Sequence, residues 1–172
     1  MNTKAVFLII WAVVFFIFSA ASAGESHMKI SSTAFASEAF IPKEYTCDGT
    51  NVAPALAWQD VPSGVKSFAL VMDDPDAPAG TWVHWVVYNI PADVRSLSPL
   101  PAGTRQGENS FGKTGYGGPC PPKGHGPHRY FFRLYALDTS LDLKSQADSA
   151  GLKAAMNGHV LDNAELMGRY EH

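Results

Sequence analysis

At 172 residues, 46% hydrophobic and 17% charged, the chain has the composition of one ordinary globular domain, with no internal repeat and no low-complexity tract. Its formal net charge of −3 leaves no electrostatic drive toward nucleic acid.

The first 23 residues stand apart. Lys4 is a minimal positive segment, Ala5 to Phe18 is an unbroken apolar run, and Ala21-Ser22-Ala23 is an A-x-A cleavage pattern. The run is about 14 residues, short of the roughly 20 that a spanning helix needs, and small residues follow where a membrane anchor would carry basic flanks. A cleaved signal peptide over residues 1–23 and a single mature domain over 24–172 are therefore expected. Such a protein would be periplasmic or secreted, with no stable membrane insertion after cleavage. Cleavage removes one of the 13 bases (Lys4) and none of the 16 acids, so the mature net charge is −4. The two cysteines, Cys47 and Cys120, are an even count in an exported chain, and their pairing is the economical expectation. A bridge across this loop stabilises by ~4 kcal/mol at the upper end of the loop-entropy range. The alternative role for Cys120, a nucleophile, is weaker: it lies between two prolines with no activating base beside it.

In chain order, Met28 to Tyr45 alternates loosely and suits short strands near an edge. Thr46 to Pro54 (T-C-D-G-T-N-V-A-P) is turn chemistry, and Ala55 to Val61 carries an aromatic anchor, Trp58. Lys66 to Asp73 is apolar enough for a strand buried on both faces, and it stops at D-D-P-D-A-P-A-G. Thr81 to Ile90 (T-W-V-H-W-V-V-Y-N-I) is the clearest strand. The period of two predicts one face of Trp82, His84, Val86 and Tyr88, and another of Val83, Trp85, Val87 and Asn89. Pro91 to Gly115 is a long, little-structured connection, of the kind that is functional or mobile.

Tyr116 to His128 then packs four Pro and four Gly into thirteen residues, which excludes helix and central strand. This loop delivers His128, Arg129 and Tyr130 onto a strand running to Leu137, the usual way to place polar side chains at a sheet rim. Asp148 to His159 is the one convincing helix, capped by Asp148 or Ser149, and Ala164 to Tyr170 reads as a last short strand. Several strands, long connections and one short C-terminal helix make a mostly β domain of two packed antiparallel sheets, a β-sandwich.

Polar groups gather at strand ends in three places: Asp74 and Asp76, His84, and His128-Arg129-Tyr130. Each has a bland explanation: turn carboxylates accepting backbone N–H groups, a satisfied core histidine, and ordinary edge residues. His84, His125, His128 and an Asp have the ligand types for zinc, but His125 lies in a loose G-H-G context. No H-E-x-x-H or C-x-x-C spacing is present, so no metal is expected. No G-x-S-x-G nucleophile motif occurs, and Asp74 and Asp76 point to opposite faces if extended, a poor arrangement for shared acid–base work.

The segments D-P-D-A-P (Asp74–Pro78), W-V-H-W-V-V-Y-N-I-P (Trp82–Pro91) and G-P-C-P-P-K-G-H-G-P-H-R-Y (Gly118–Tyr130), together and in this order, resemble the phosphatidylethanolamine-binding protein (PEBP) family. The resemblance is closest to its bacterial Raf-kinase-inhibitor-like branch. It extends over nearly all of the mature chain, from T-C-D-G-T-N-V-A-P to A-E-L-M-G-R-Y. It implies a two-sheet antiparallel β fold with a small pocket for phosphate and phosphorylated headgroups. The pocket positions would be Asp74, His84, Pro122, His128 and Tyr130, with Trp82 and Pro78 lining it. It also implies a cis peptide at Ala77–Pro78, and an Arg129 that points away from the pocket. Eukaryotic members have a further C-terminal segment over the pocket that has no counterpart after His172, so a more open pocket, or one completed by a second subunit, is expected. Kinase inhibition does not carry over to an exported chain.

A phosphate oxyanion needs donors, and His84, His128, Tyr130 and the loop backbone supply them. Asp74 fits beside an anion if it orients a histidine and favours its charged form. The expected function is therefore binding of a small phosphate-like anion or phosphorylated ligand, with no catalytic residues and no cofactor. Two rivals stay open: a weak hydrolase using His84 and His128 as acid and base, and an extracellular interaction or inhibitor module in which the Pro91–Gly115 loop meets a protein partner. A homodimer is a further alternative.

Overall fold

Eight consecutive buried residues, Ser67–Asp74, form the strand around which the domain is assembled. The computed structural model describes residues 27–143 and 147–172; the expected signal peptide lies outside them. In chain order the elements are β1 (Lys29–Ser32), a 3-10 turn (Lys43–Tyr45), β2 (Leu56–Gln59), β3 (Ser67–Asp74), β4 (Trp82–Pro91), β5 (Arg105–Gln106), β6 (His128–Leu137), α1 (Ser149–Met156) and β7 (Val160–Tyr170). The strands form a five-stranded antiparallel sheet, ordered β5-β4-β3-β6-β7, and a two-stranded sheet of β1 and β2. This is the mostly β, two-sheet architecture with one short helix that the sequence predicts.

β3 is buried throughout, and apolar from Phe68 to Met72, because the large sheet is covered on both sides. Phe68, Leu70 and Met72 join Trp85, Val87, Phe132 and Leu134 in a core closed by Leu56 and Trp58 of β2 together with Phe35 and Ile41. Ala69 and Val71 face the other way, with Val86, Tyr88 and Leu137, under Leu152 and Met156 of α1. Trp58 meets Phe68 edge-on, with ring centroids 5.3 Å apart. The helix begins where Asp148 accepts the Gly151 N–H at 2.8 Å, satisfying one of the donors that every helix start leaves open.

Three local expectations change. The last strand begins at Val160, not Ala164, and pairs along its whole length with β6; that cross-strand ladder extends it through the polar Asp162 and Asn163. The Pro91–Gly115 segment contains a two-residue strand, β5, on the free edge of β4. The cis peptide is at Ser98–Pro99 and not at Ala77–Pro78. Pro78 instead occupies the second position of a turn closed by the Gly80 N–H on the Ala77 carbonyl, 3.1 Å, where a trans proline is at home.

Candidate functional site

β4 does not alternate evenly. Its register against β3 steps from Met72↔Trp85 to Asp73↔Val83, leaving His84 as an extra residue. A β-bulge of this kind re-aims side chains and bends the strand. The expected common face of His84 with Val86 and Tyr88 is therefore broken. Val83 packs with Val86 and Tyr88 on the helix side, whereas the His84 ring meets Tyr130 edge-on, centroids 5.2 Å apart, on the opposite side of the sheet.

The Gly/Pro loop then fixes His84 from outside. The Gly117 N–H donates to the His84 carbonyl at 3.0 Å, and the His84 Nδ1–H donates to the Gly117 carbonyl at 2.7 Å. Only glycines fit this close approach. A Cβ on Gly117 would lie 2.7 Å from the Phe111 ring, and one on Gly118 would lie 2.5 Å from the Tyr45 carbonyl oxygen. The adjoining Gly118 N–H is held by Asn51 Oδ1 at 2.7 Å.

Three acidic residues at the end of β3 take three separate roles. Asp73 faces Arg133, 3.1 Å from its Nε. Asp74 turns to the other side of the sheet, where its Oδ2 lies 2.8 Å from His128 Nδ1 with both side chains 4% exposed. A carboxylate can only accept, so His128 donates its Nδ1–H. The second Asp74 oxygen accepts the Asp76 N–H at 2.8 Å. Asp76 in turn clamps Arg129 through two guanidinium contacts and its backbone N–H, and this holds the Asp76 carboxyl below its ordinary range. Arg129 thus points away from the cavity, as expected, and Asp76 is a turn carboxylate.

These elements enclose a cavity of about 320 Å³, within the size range of small-molecule sites. Asp74, Pro78, Trp82, His84, Pro122 and His128, all singled out from the sequence, line it, together with Ala77, Phe111, Cys120 and Pro121. Tyr130 lies behind the His84 ring. Its buried hydroxyl finds no partner at good hydrogen-bond geometry, although Asp74 and the Cys120 backbone are its polar neighbours. Burial, and then the charge of Asp74, push its ionisation up, so the group stays an O–H donor. Burial pushes the His84 imidazole down, opposed by the Gly117 carbonyl and by the charge of Asp74. His125 is exposed and lies outside the cavity wall.

Phe111 is the aromatic wall residue that sequence reasoning missed. Its ring packs edge-on against Trp82 at 5.5 Å and His84 at 5.4 Å while 42% of the residue is exposed. It is carried on a tight turn in which the buried Asn109 side chain accepts the Phe111 and Lys113 N–H groups and donates to the Gly115 carbonyl. A lone aromatic in the polar stretch N-S-F-G-K-T-G was the available signal. Cys47 and Cys120 form a disulfide, and Cys120 lines the cavity as well.

The Phosphatidylethanolamine-binding protein family profile matches residues 31–171. The chain belongs to this family. A UPF0098 protein of Aquifex aeolicus is 50% identical over 157 residues, covering 87% of this chain and 92% of its own length. One of Methanothermobacter thermautotrophicus is 51% identical over 150 residues, covering 83% and 98%. Among solved structures, a PEBP homolog, CT736 of Chlamydia trachomatis, superposes with a TM-score of 0.80 at 41% identity over 85% of this chain and 98% of that one. Escherichia coli YbcL does so with 0.80 at 36% identity over 86% and 99%. The PEBP assignment covers the bulge at His84, the Gly/Pro loop and the β6 start, so the cavity lies within the matched region.

Proposed function

We propose that this PEBP-family chain is an exported binding protein whose cavity takes a phosphate-like anion or the phosphoryl group of a larger ligand. One observation carries the reading. Two buried imidazoles line the same cavity, and each has its Nδ1–H committed to an acceptor, His84 to the Gly117 carbonyl and His128 to the Asp74 carboxylate. Each ring is left with Nε2, an acceptor when neutral and a donor once protonated. An anion that supplies negative charge favours the protonated form and gains a charge-assisted hydrogen bond from it. The buried Tyr130 hydroxyl, with Asp74 and the Cys120 backbone as its polar neighbours, is a further O–H donor behind the same wall.

The lining residues contain no Ser or Thr, and their one cysteine is held in a disulfide. That composition favours binding over covalent chemistry. The apolar share of the wall, Pro78, Trp82, Phe111, Pro121 and Pro122, suits the organic part of a phosphorylated ligand. Export rests on the leader-like composition of residues 1–23 and is supported by the disulfide.

The test is an NMR titration of imidazole signals with sulfate and with phosphorylethanolamine at pH 5.5 and 7.5. Saturable shifts confined to His84 and His128, stronger at the lower pH, are expected. Absence of shifts at millimolar concentrations of both ligands would overturn the reading.

A further inference from the structure

Beyond the cavity, on the outer side of Cys120, the end of β7 brings a third group to the disulfide. His172 Nε2 lies 3.9 Å from the sulfur of Cys47 and 3.9 Å from that of Cys120. Its other ring nitrogen, Nδ1, is 2.9 Å from Asp48 Oδ2, an oxygen that also accepts the Tyr170 hydroxyl at 2.6 Å. Both cysteines are exposed. A disulfide needs no imidazole to form or persist, and its sulfurs are weak hydrogen-bond acceptors. Two sulfurs, an imidazole nitrogen facing both of them, and a carboxylate behind that imidazole are, however, the parts of a metal centre.

We propose that reduction of the Cys47–Cys120 disulfide creates a three-ligand site for a thiophilic divalent cation of the zinc class, formed by Cys47, Cys120 and His172 and oriented by Asp48. The reduction breaks the S–S bond with two electrons and two protons from an external dithiol, which is itself oxidised to a disulfide, and leaves two thiols. Cation binding then displaces both thiol protons to solvent, so two thiolates balance the dipositive ion and the neutral imidazole completes the set. Water occupies the fourth position.

The distances suit this chemistry. The three ligand atoms lie within 4.8 Å of one another. Zinc–sulfur bonds of about 2.3 Å and zinc–nitrogen bonds of about 2.0 Å in a tetrahedron separate neighbouring ligands by roughly 3.4–3.8 Å. Both sulfur–nitrogen spacings are close to that already. The sulfurs alone must part, by cysteine side-chain rotation from Cα atoms 5.4 Å apart. The Asp48 contact fixes the ring so that Nε2, not Nδ1, faces the metal, the usual service of a carboxylate behind a ligating histidine.

The full chain, reduced with a phosphine that takes oxygen from water to become its oxide, is titrated anaerobically with Co²⁺ as the spectroscopic probe. The expected result is a thiolate-to-cobalt charge-transfer band in the near ultraviolet, with visible bands of a tetrahedral ion, saturating at one ion per chain and displaced by Zn²⁺. The oxidised chain shows neither. His172→Ala should weaken Co²⁺ at least tenfold, and Asp48→Asn about tenfold with the charge-transfer band retained. A reduced chain without the band, or His172→Ala with the parent's affinity, overturns the proposal. Far-UV circular dichroism is recorded alongside. If reduction unfolds the chain, Zn²⁺ must restore the β spectrum in the parent and not in His172→Ala, and failure to do so counts equally against the site.

Discussion

His84 and Gly117 are joined twice: the glycine N–H reaches the His84 carbonyl at 3.0 Å, and the His84 Nδ1–H reaches the Gly117 carbonyl at 2.7 Å. The double link fixes both the backbone and the ring of a bulged residue. It leaves Nε2 as the one ring atom with chemistry to offer. It also holds the ring in a buried place where charge is disfavoured, and the first prediction follows from that.

Burial depresses the His84 ionisation below its unfolded value of 6.5. The unfolded chain therefore binds more protons than the folded one as pH falls below about 6.5. The stability tied to a neutral His84 is fully present above that pH and is lost as pH falls toward the folded value. Urea unfolding at pH 5, 6 and 7 should show the parent losing up to about 1.4 kcal/mol per pH unit more than His84→Asn, whose amide keeps a donor toward Gly117. Parallel slopes in the two proteins would remove the argument.

Anion binding has the opposite sign. An anion in the cavity favours protonated His84, so affinity should rise as pH falls, by up to about tenfold per pH unit for one proton taken up. Sulfate is the suitable probe because its own charge is constant over this range. Calorimetry in two buffers of different ionisation enthalpy reads the proton uptake directly, and His84→Asn should reduce it.

Asp74→Asn separates orientation from simple charge. Removing a buried negative charge should by itself strengthen anion binding. The structure predicts the reverse, because an asparagine side chain offers one oxygen where Asp74 uses two, one for the His128 Nδ1–H and one for the Asp76 N–H. Sulfate affinity should fall about tenfold and stability by about 1–3 kcal/mol, the cost of leaving a buried polar group unsatisfied. Tighter sulfate binding in the variant would show that charge outweighs orientation.

Phe111→Ala should act on the site more than on the fold. The ring is partly exposed and contributes edge-on contacts to Trp82 and His84, each worth about 0.5–1.5 kcal/mol. Its removal admits water to the His84 ring and joins the cavity to a neighbouring one of about 190 Å³ that shares Phe111 and Cys120. The His84 imidazole should then titrate closer to its ordinary value, upward from the parent, in an NMR pH series. An unmoved titration would mean that the ring does not shield it.

Gly118→Ala tests the loop. A Cβ there meets the Tyr45 carbonyl oxygen at 2.5 Å, Asn51 Oδ1 at 2.6 Å and Thr46 Cα at 2.9 Å, and two of the three are backbone atoms with little room to retreat. Overpacking of this kind costs about 1–3 kcal/mol, and thermal unfolding should show a lowered midpoint, whereas Gly80→Ala, with nothing within 4 Å of its Cβ, involves only the strain of its positive φ.

The sequence by itself determined the central strands β3, β4 and β6, because short runs rich in branched and aromatic side chains, bounded by Gly/Pro turns, are strand-length and bury best in a sheet. It also determined the loop, because four prolines and four glycines forbid anything else over Tyr116–His128. It brought Asp74, Pro78, Trp82, His84, Pro122 and His128 forward as candidates, and the fold brings these six around one cavity. Only the tertiary structure decided which way His84 faces. The period of two assumes an unbroken strand, and the bulge that breaks it is set by pairing with β3 and by the contacts of Gly117, 33 positions away. The division of labour between adjacent Asp73 and Asp74, one to Arg133 and one to His128, has the same origin. So do the wall made by Phe111 and the meeting of His172 with Cys47 and Cys120. Local sequence encodes which backbone conformations and which faces are accessible, whereas these contacts join segments that are distant in the chain and become neighbours only when the sheets close.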